Sequence, residues 1–191
     1  MGILDTAVII CKYIASPRRT GTICPSSRFL ARRMVASIGK KPKDCGAVVE
    51  LGAGTGAITK YIVEGGYADG SSLYCIEFDK KLCEILEKKF TTAKIINGSA
   101  ENIRELVGAD SGKISAIISG LPLVSLPKEV VDNIISEVEE SLPVGGRFVQ
   151  FTYNLRRPPE SLGFKKMRHI GRSFVVLNIP PARVDVFEKI R

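Results

Sequence analysis

This 191-residue chain has a single histidine and no closely paired cysteines, and each lack removes a class of site. The single histidine, His169, has no companion at a metal-ligand spacing, so no bound metal is expected. The five cysteines, at positions 11, 24, 45, 75 and 83, include no C-x-x-C pair and read as reduced thiols of a cytosolic protein. Long apolar runs are missing too. The apolar stretch 7–15 is short, is interrupted by Lys12 and has its arginines after it, so neither a membrane span nor export is expected. Met1-Gly2 with Thr6 fits a myristoylation pattern too short to carry weight. There is no internal repeat, and the length leaves no room for a second full domain.

What the chain has in excess is positive charge, unevenly spread. The formal charge is +8, but residues 1–45 and 155–191 together carry +13 while residues 46–154 carry −5. Basic flanks around an acidic middle predict an anionic partner, either a membrane face or nucleic acid.

Residues 3–14 have apolar positions near helical spacing, ended by Ser16-Pro17. Pro25-Ser26-Ser27-Arg28 reads as a capped helix start, with Phe29, Leu30, Met34, Val35 and Ile38 forming an apolar face. These two segments make a helical cap over residues 1–45. From residue 47 onward short apolar runs alternate with amphipathic ones. Strands are predicted at 47–51, 73–76, 94–96, 114–118 and 147–152, and helices at 57–63, 80–90, 100–107 and 128–141. That alternation predicts an α/β fold with a mainly parallel sheet and helices on both faces. Residues 172–179, Pro180-Pro181 and 183–187 read as a C-terminal antiparallel hairpin closing one edge. Residues 46–191 would form the main unit.

Glu50-Leu51-Gly52-Ala53-Gly54-Thr55-Gly56 falls between a predicted strand and a predicted helix, where residues without Cβ let the backbone turn sharply and approach a ligand. The run Gly52-x-Gly54-x-x-Ala57 also satisfies a dinucleotide fingerprint, and Glu77 stands near the matching distance downstream. Two features favour S-adenosylmethionine over a dinucleotide. Glu50 would repel a pyrophosphate but accept the ammonium of an amino-acid moiety, and the chain is too short for a separate dehydrogenase substrate domain. On this reading the cofactor is held by Glu50, Gly52, Ala53, Gly54 and Gly56, by Glu77 with Phe78 at the ribose, and by Ser99 and Ala100 at the adenine. The expected fold is therefore a Rossmann-like class I methyltransferase.

The fourth strand ends in Ser119-Gly120-Leu121-Pro122-Leu123, where amino-methylating enzymes carry an Asn/Asp-Pro-Pro-Tyr type of motif. Ser119 and the carbonyl of Gly120 or Leu121 would orient the target nitrogen. Leu123 stands where an aromatic residue would stack on a nucleobase, which argues against a planar base as acceptor.

Five blocks in order make the chain resemble the bacterial phospholipid N-methyltransferase family, related to the ribosomal RNA adenine dimethylases, over residues 17–184. They are Pro17-Arg18-Arg19-Thr20-Gly21 leading to Pro25-Ser26-Ser27-Arg28, the glycine loop from Val49, the Ser119–Leu123 block, Phe148-Val149-Gln150-Phe151-Thr152-Tyr153, and Asn178-Ile179-Pro180-Pro181-Ala182-Arg183. The resemblance implies methylation of the amine of phosphatidylethanolamine, with the N-terminal helix lying on the inner membrane face. Ser99 departs from the family's usual aspartate and Ala53 from its usual proline. Tyr13 and Tyr153 are expected to line the acceptor site, and Arg18, Arg19, Arg28 and Arg183 to meet the lipid phosphate. An RNA adenine methyltransferase and a non-catalytic cofactor-binding protein are the competing readings.

Overall fold

A computed structural model describes residues 27–39, 46–68 and 73–191. The expected helix at 3–14, and with it Tyr13, Arg18 and Arg19, lies outside the described residues.

The first described helix, α1 (Arg28–Ala36), begins where Ser27 Oγ accepts the Leu30 N–H at 3.3 Å. That bond satisfies one of the amides a helix start leaves unpaired. Leu30, Ala31, Met34 and Val35 recur at helical spacing and are buried. Strands β1 (Ala47–Leu51) and β2 (Leu73–Glu77) are buried at every position, as expected of central strands covered on both faces. Helix α2 (Thr59–Glu64) joins them, and α3 (Lys80–Lys89), capped by Asp79, leads to β3 (Ala93–Asn97). A short helix α4 (Ile103–Val107) precedes β4 (Ile114–Ser119), and α5 (Lys128–Ser141) precedes β5 (Arg147–Thr152). The chain closes with β6 (Met167–Val175) and β7 (Ala182–Lys189).

These strands form one sheet in the order β3-β2-β1-β4-β5-β7-β6. The first five are mutually parallel, and β7 runs antiparallel to both β5 and β6. One face buries Val49, Leu51, Ile117 and Phe148 against Ile103, Ile134 and Val138 of α4 and α5. The other buries Val48, Cys75, Ile118 and Val149 against Leu30, Met34, Ile62 and Leu86 of α1, α2 and α3. The class I Rossmann-like architecture expected from the strand-helix alternation is the observed one.

Local departures have physical causes. The helix expected from residue 57 starts at Thr59, because the glycine loop continues as turns through Ile58. The helix expected at 100–107 is a 3-10 turn (Ala100–Asn102) followed by α4. The hairpin strand expected at 172–179 runs instead over Met167–Val175. Val176, Leu177 and Ile179 are apolar and read as strand, yet they form the tip of the hairpin and are 72%, 64% and 82% exposed.

The expected role of Arg183 is corrected. Its side chain is buried, and its guanidinium donates to Asp185 Oδ2 through Nε at 2.8 Å, to Leu155 O through Nη1 at 2.7 Å and to Arg157 O through Nη2 at 2.7 Å. It therefore holds the loop after β5 against β7. A lipid phosphate could reach it only by displacing these partners.

Candidate functional site

Parallel strands deliver their following loops to one edge of a sheet, and a ligand crevice opens where the strand order reverses. Here the reversal lies between β1 and β4, since the chain goes outward from β1 to β2 and β3 and then returns to β4 and β5. The glycine loop follows β1 and the Ser119–Leu123 block follows β4, so both sequence motifs flank that crevice.

The loops are pinned to the strand ends. Gly52 N–H donates to Ile76 O at 2.9 Å, Gly120 N–H to Leu51 O at 2.8 Å and Gly98 N–H to Glu77 O at 3.0 Å. Gly52, Gly54 and Gly56 all have positive φ. At Gly52 the need is double: φ is +70°, and a Cβ would lie 2.5 Å from Leu121 Cδ2. Glu77 ties the loop to β2, its carboxylate accepting Gly54 N–H at 2.8 Å and Asp79 N–H at 2.9 Å. Each oxygen keeps a lone pair for a further donor such as a ribose hydroxyl.

A shallow cleft opens beside this loop. Gly52, Glu77, Phe78, Ser99, Ala100 and Leu121 line it, together with Ile76, Gly98 and Ile134. Of these nine, sequence reasoning had singled out the first six. Ile134 was missed because it lies on α5, remote in sequence, and its periodicity marks it only as core. Ser99 caps the 3-10 turn, accepting Glu101 N–H at 3.2 Å and donating to Glu101 Oε1 at 3.2 Å.

Glu50 lies beneath the loop rather than on the wall of this cleft. It is fully buried, and its Oε2 accepts the Thr59 hydroxyl at 2.6 Å and the Cys75 thiol at 3.6 Å. Burial raises its pKa to about 7, against the opposing bonds from Thr59 and Cys75. Burial beside this carboxylate also pushes the Cys75 thiol up. Oε1 of Glu50 has no partner. A buried acceptor without a donor is costly, and a bound ammonium would supply what the folded chain leaves out. The residues present thus fit the amino-acid end of the expected cofactor as well as its nucleoside end.

On the β4 side, Ser119 is buried and its Oγ accepts the Leu121 N–H at 3.3 Å, so the hydroxyl shapes the turn. Gln150, which pairs with Ser119 across β4 and β5, was not recognised as a site residue from sequence. Its Nε2 donates to Leu121 O at 3.0 Å and to Phe151 O at 2.7 Å. Two carbonyls facing Nε2 fix the amide orientation, because a flipped amide would oppose oxygen to oxygen. Gln150 Oε1 is buried without a partner. A polar side chain between the apolar residues Val149 and Phe151 was the available signal. Tyr153, just beyond β5, meets Phe151 edge-on with centroids 5.3 Å apart. Leu123 is buried in the core and offers no platform for a ring. Arg28 is exposed, its guanidinium 4.8 Å from the centroid of the Phe29 ring. Among the described residues no helix is long and apolar enough to cross a membrane.

The same architecture occurs in the solved 1,6-didemethyltoxoflavin-N1-methyltransferase of Burkholderia thailandensis, a structure that holds S-adenosylhomocysteine. The two superpose with a TM-score of 0.73 at 13% identity, over 100% of this chain and 92% of that one. Fold, loop and relatives define an S-adenosylmethionine-dependent methyltransferase of class I. Among curated proteins, the chain is similar to the ornithine lipid N-methyltransferase of Singulisphaera acidiphila, 28% identical over 154 residues and covering 78% of each chain. It is also similar to ribosomal RNA small subunit methyltransferase A of Chlorobium chlorochromatii, 30% identical over 109 residues, which span 57% of this chain but only 39% of that longer protein. No family model matches the chain.

Proposed function

We propose that this methyltransferase acts on the primary amine of a membrane lipid of the phosphatidylethanolamine type. The observation that carries the reading is the polar group at the end of β4 and β5. There the Leu121 carbonyl and the orphan Oε1 of Gln150 are both acceptors, with buried Leu123 in place of a stacking ring. Acceptors suit the N–H groups of an aliphatic amine, and a nucleobase would need a platform that this turn lacks. The similarity to a lipid N-methyltransferase over most of both chains supports the same class of acceptor.

When bound, S-adenosylmethionine supplies an electrophilic methyl group on a sulfonium. The chain's own task is alignment. Ser119 and Gln150 hold the turn so that the Leu121 carbonyl has a fixed direction, and the amine's lone pair is turned toward the cleft. An ethanolamine ammonium must first lose a proton, so methylation of the lipid rises with pH until the amine is neutral. Arg28, which is exposed, would meet the lipid phosphate.

The deciding experiment incubates the protein with methyl-labelled S-adenosylmethionine and, in separate arms, with liposomes containing phosphatidylethanolamine, liposomes containing ornithine lipid, and total RNA. Label is expected in the phosphatidylethanolamine arm. Label in RNA alone overturns the reading, and label in ornithine lipid alone moves the acceptor to that lipid.

Gln150→Leu is expected to lower kcat about 10- to 100-fold while the dissociation constant of S-adenosylmethionine changes by less than about threefold. The substitution keeps the volume but leaves the Leu121 and Phe151 carbonyls without their donor. Equal losses in kcat and in cofactor affinity would show a general structural role instead. Steady-state kinetics with isothermal titration of the cofactor separates the two.

A further inference from the structure

We infer that the tip of the β6–β7 hairpin, together with the adjoining face of α1, is the surface by which this protein docks on an anionic lipid bilayer. The inference rests on the lipid reading above and assigns it a place on the molecule. Phe174, Val176, Leu177 and Ile179 are 57%, 72%, 64% and 82% exposed. Four large apolar side chains open to water within six residues form a contiguous patch of the kind that marks an interaction site, whereas single exposed apolar residues are ordinary.

The position of the patch follows from strand register. Thr152, at the carboxyl end of β5, pairs with Arg183 at the start of β7. The hairpin tip just before β7 therefore rises from the same edge of the sheet as the glycine loop and the Ser119–Leu123 turn. From β4 to β6 the order is β4-β5-β7-β6, three strand spacings or about 14 Å. A bilayer touching the tip would face the same edge of the sheet as the acceptor turn.

Charge selects the partner. Helix α1 is fastened to the hairpin by Ser27 N–H to Asn178 Oδ1 at 3.1 Å and by Arg33 to Ser173 Oγ. This brings exposed Arg33 beside exposed Arg172, whose Nε lies 3.5 Å from Asp185 Oδ1, with exposed Arg28 and Arg32 on the same helix as Arg33. Residues 27–39 and 170–182 contain no aspartate or glutamate. Phe29, Arg33, Arg172, Phe174 and Leu177 line one shallow groove. Aliphatic side chains bordered by arginines match the acyl boundary and the phosphate layer of a bilayer. A second copy of the chain would oppose the same arginines to one another across a two-fold contact. RNA would engage the arginines and stack at most on Phe29 and Phe174, leaving Val176, Leu177 and Ile179, the most exposed side chains of the patch, in water.

The test is co-sedimentation with vesicles of phosphatidylglycerol and phosphatidylcholine, without any amine lipid, so that binding is read apart from turnover. The triple variant Val176→Ser, Leu177→Ser, Ile179→Ser is expected to bind at least about tenfold more weakly than the wild type. Its melting temperature should be unchanged, and its methylation of short-chain, monomeric phosphatidylethanolamine should stay within about twofold, because these side chains touch neither cleft nor turn. Wild-type binding should weaken with added salt and on pure phosphatidylcholine. Vesicle affinity unaltered in the variant, or indifferent to phosphatidylglycerol, overturns the inference while leaving the lipid acceptor standing. Vesicle binding lost in the variant together with methylation of RNA only would overturn the acceptor and keep the docking face. A wild-type dimer abolished by the variant, with no vesicle binding, overturns the inference in favour of a second copy.

Discussion

Glu50→Gln is expected to stabilise the cofactor-free protein at pH 8 by up to about 3 kcal/mol and to weaken S-adenosylmethionine binding at least about tenfold. The carboxylate is fully buried with one oxygen unpartnered, and burial pushes its pKa in the folded state up to about 7, above the ordinary value of 4.5. The sign follows from proton binding. Between those two values the folded state holds a proton that the unfolded state has released, so stability falls as pH rises from about 4.5 to about 7 and is level beyond. A neutral glutamine removes that slope. Chemical denaturation of wild type and variant at pH 5 and pH 8 measures it: the difference should be small at pH 5 and near its maximum at pH 8.

The same group makes cofactor binding pH-dependent in the opposite direction. An ammonium near Glu50 favours the ionised form, so below pH 7 binding must expel a proton, and affinity should fall up to about tenfold per pH unit. Isothermal titration in buffers of differing ionisation enthalpy counts that proton. No proton release at pH 6, with unchanged affinity in Glu50→Gln, would sink the assignment. Both expectations follow from one feature, the unpartnered buried oxygen of Glu50.

Gly120→Ala is expected to reduce kcat at least about 100-fold and to lower the melting temperature by about 3–9 °C. A Cβ at position 120 would lie 2.7 Å from Gly52 O, a backbone atom of the cofactor loop, and 3.4 Å from Leu51 O. Neither can rotate aside. The two loops must separate, which stretches the Gly120 N–H to Leu51 O bond and moves the Leu121 carbonyl relative to the cleft. Because Glu77 still ties Gly54 to β2, cofactor affinity should fall much less than turnover. A variant with normal kcat would show that the acceptor turn tolerates displacement and that alignment is set elsewhere.

Much of the cofactor half was legible in the sequence because it is local. A glycine with positive φ, a strand before it and a helix after it lie within a dozen residues, so the loop declares itself, and Glu77 and Ser99 follow at the ends of the next two strands. The acceptor half was legible only as a block, Ser119–Leu123. Its support comes from Gln150, paired across the sheet, and no local pattern separates a core glutamine that braces a turn from one that is merely tolerated. Arg183 misled for the same reason. A basic residue near a basic terminus reads as surface, while β7 carries it inward to Asp185 and two loop carbonyls. Val176, Leu177 and Ile179 misled in reverse, since apolar composition predicts burial and the hairpin turns them outward.

By itself the sequence determined the alternation of strands and helices, the glycine loop and the charge asymmetry, because periodicity, missing Cβ atoms and formal charge are properties of residues and their near neighbours. Tertiary structure decided which charges are free and which are spent, left Glu50 and Gln150 each with an unpartnered oxygen, and set the apolar hairpin tip on the same edge as the acceptor turn. Those facts depend on strand order and register, which join residues far apart in the chain and are settled only when the sheet closes around its two cores.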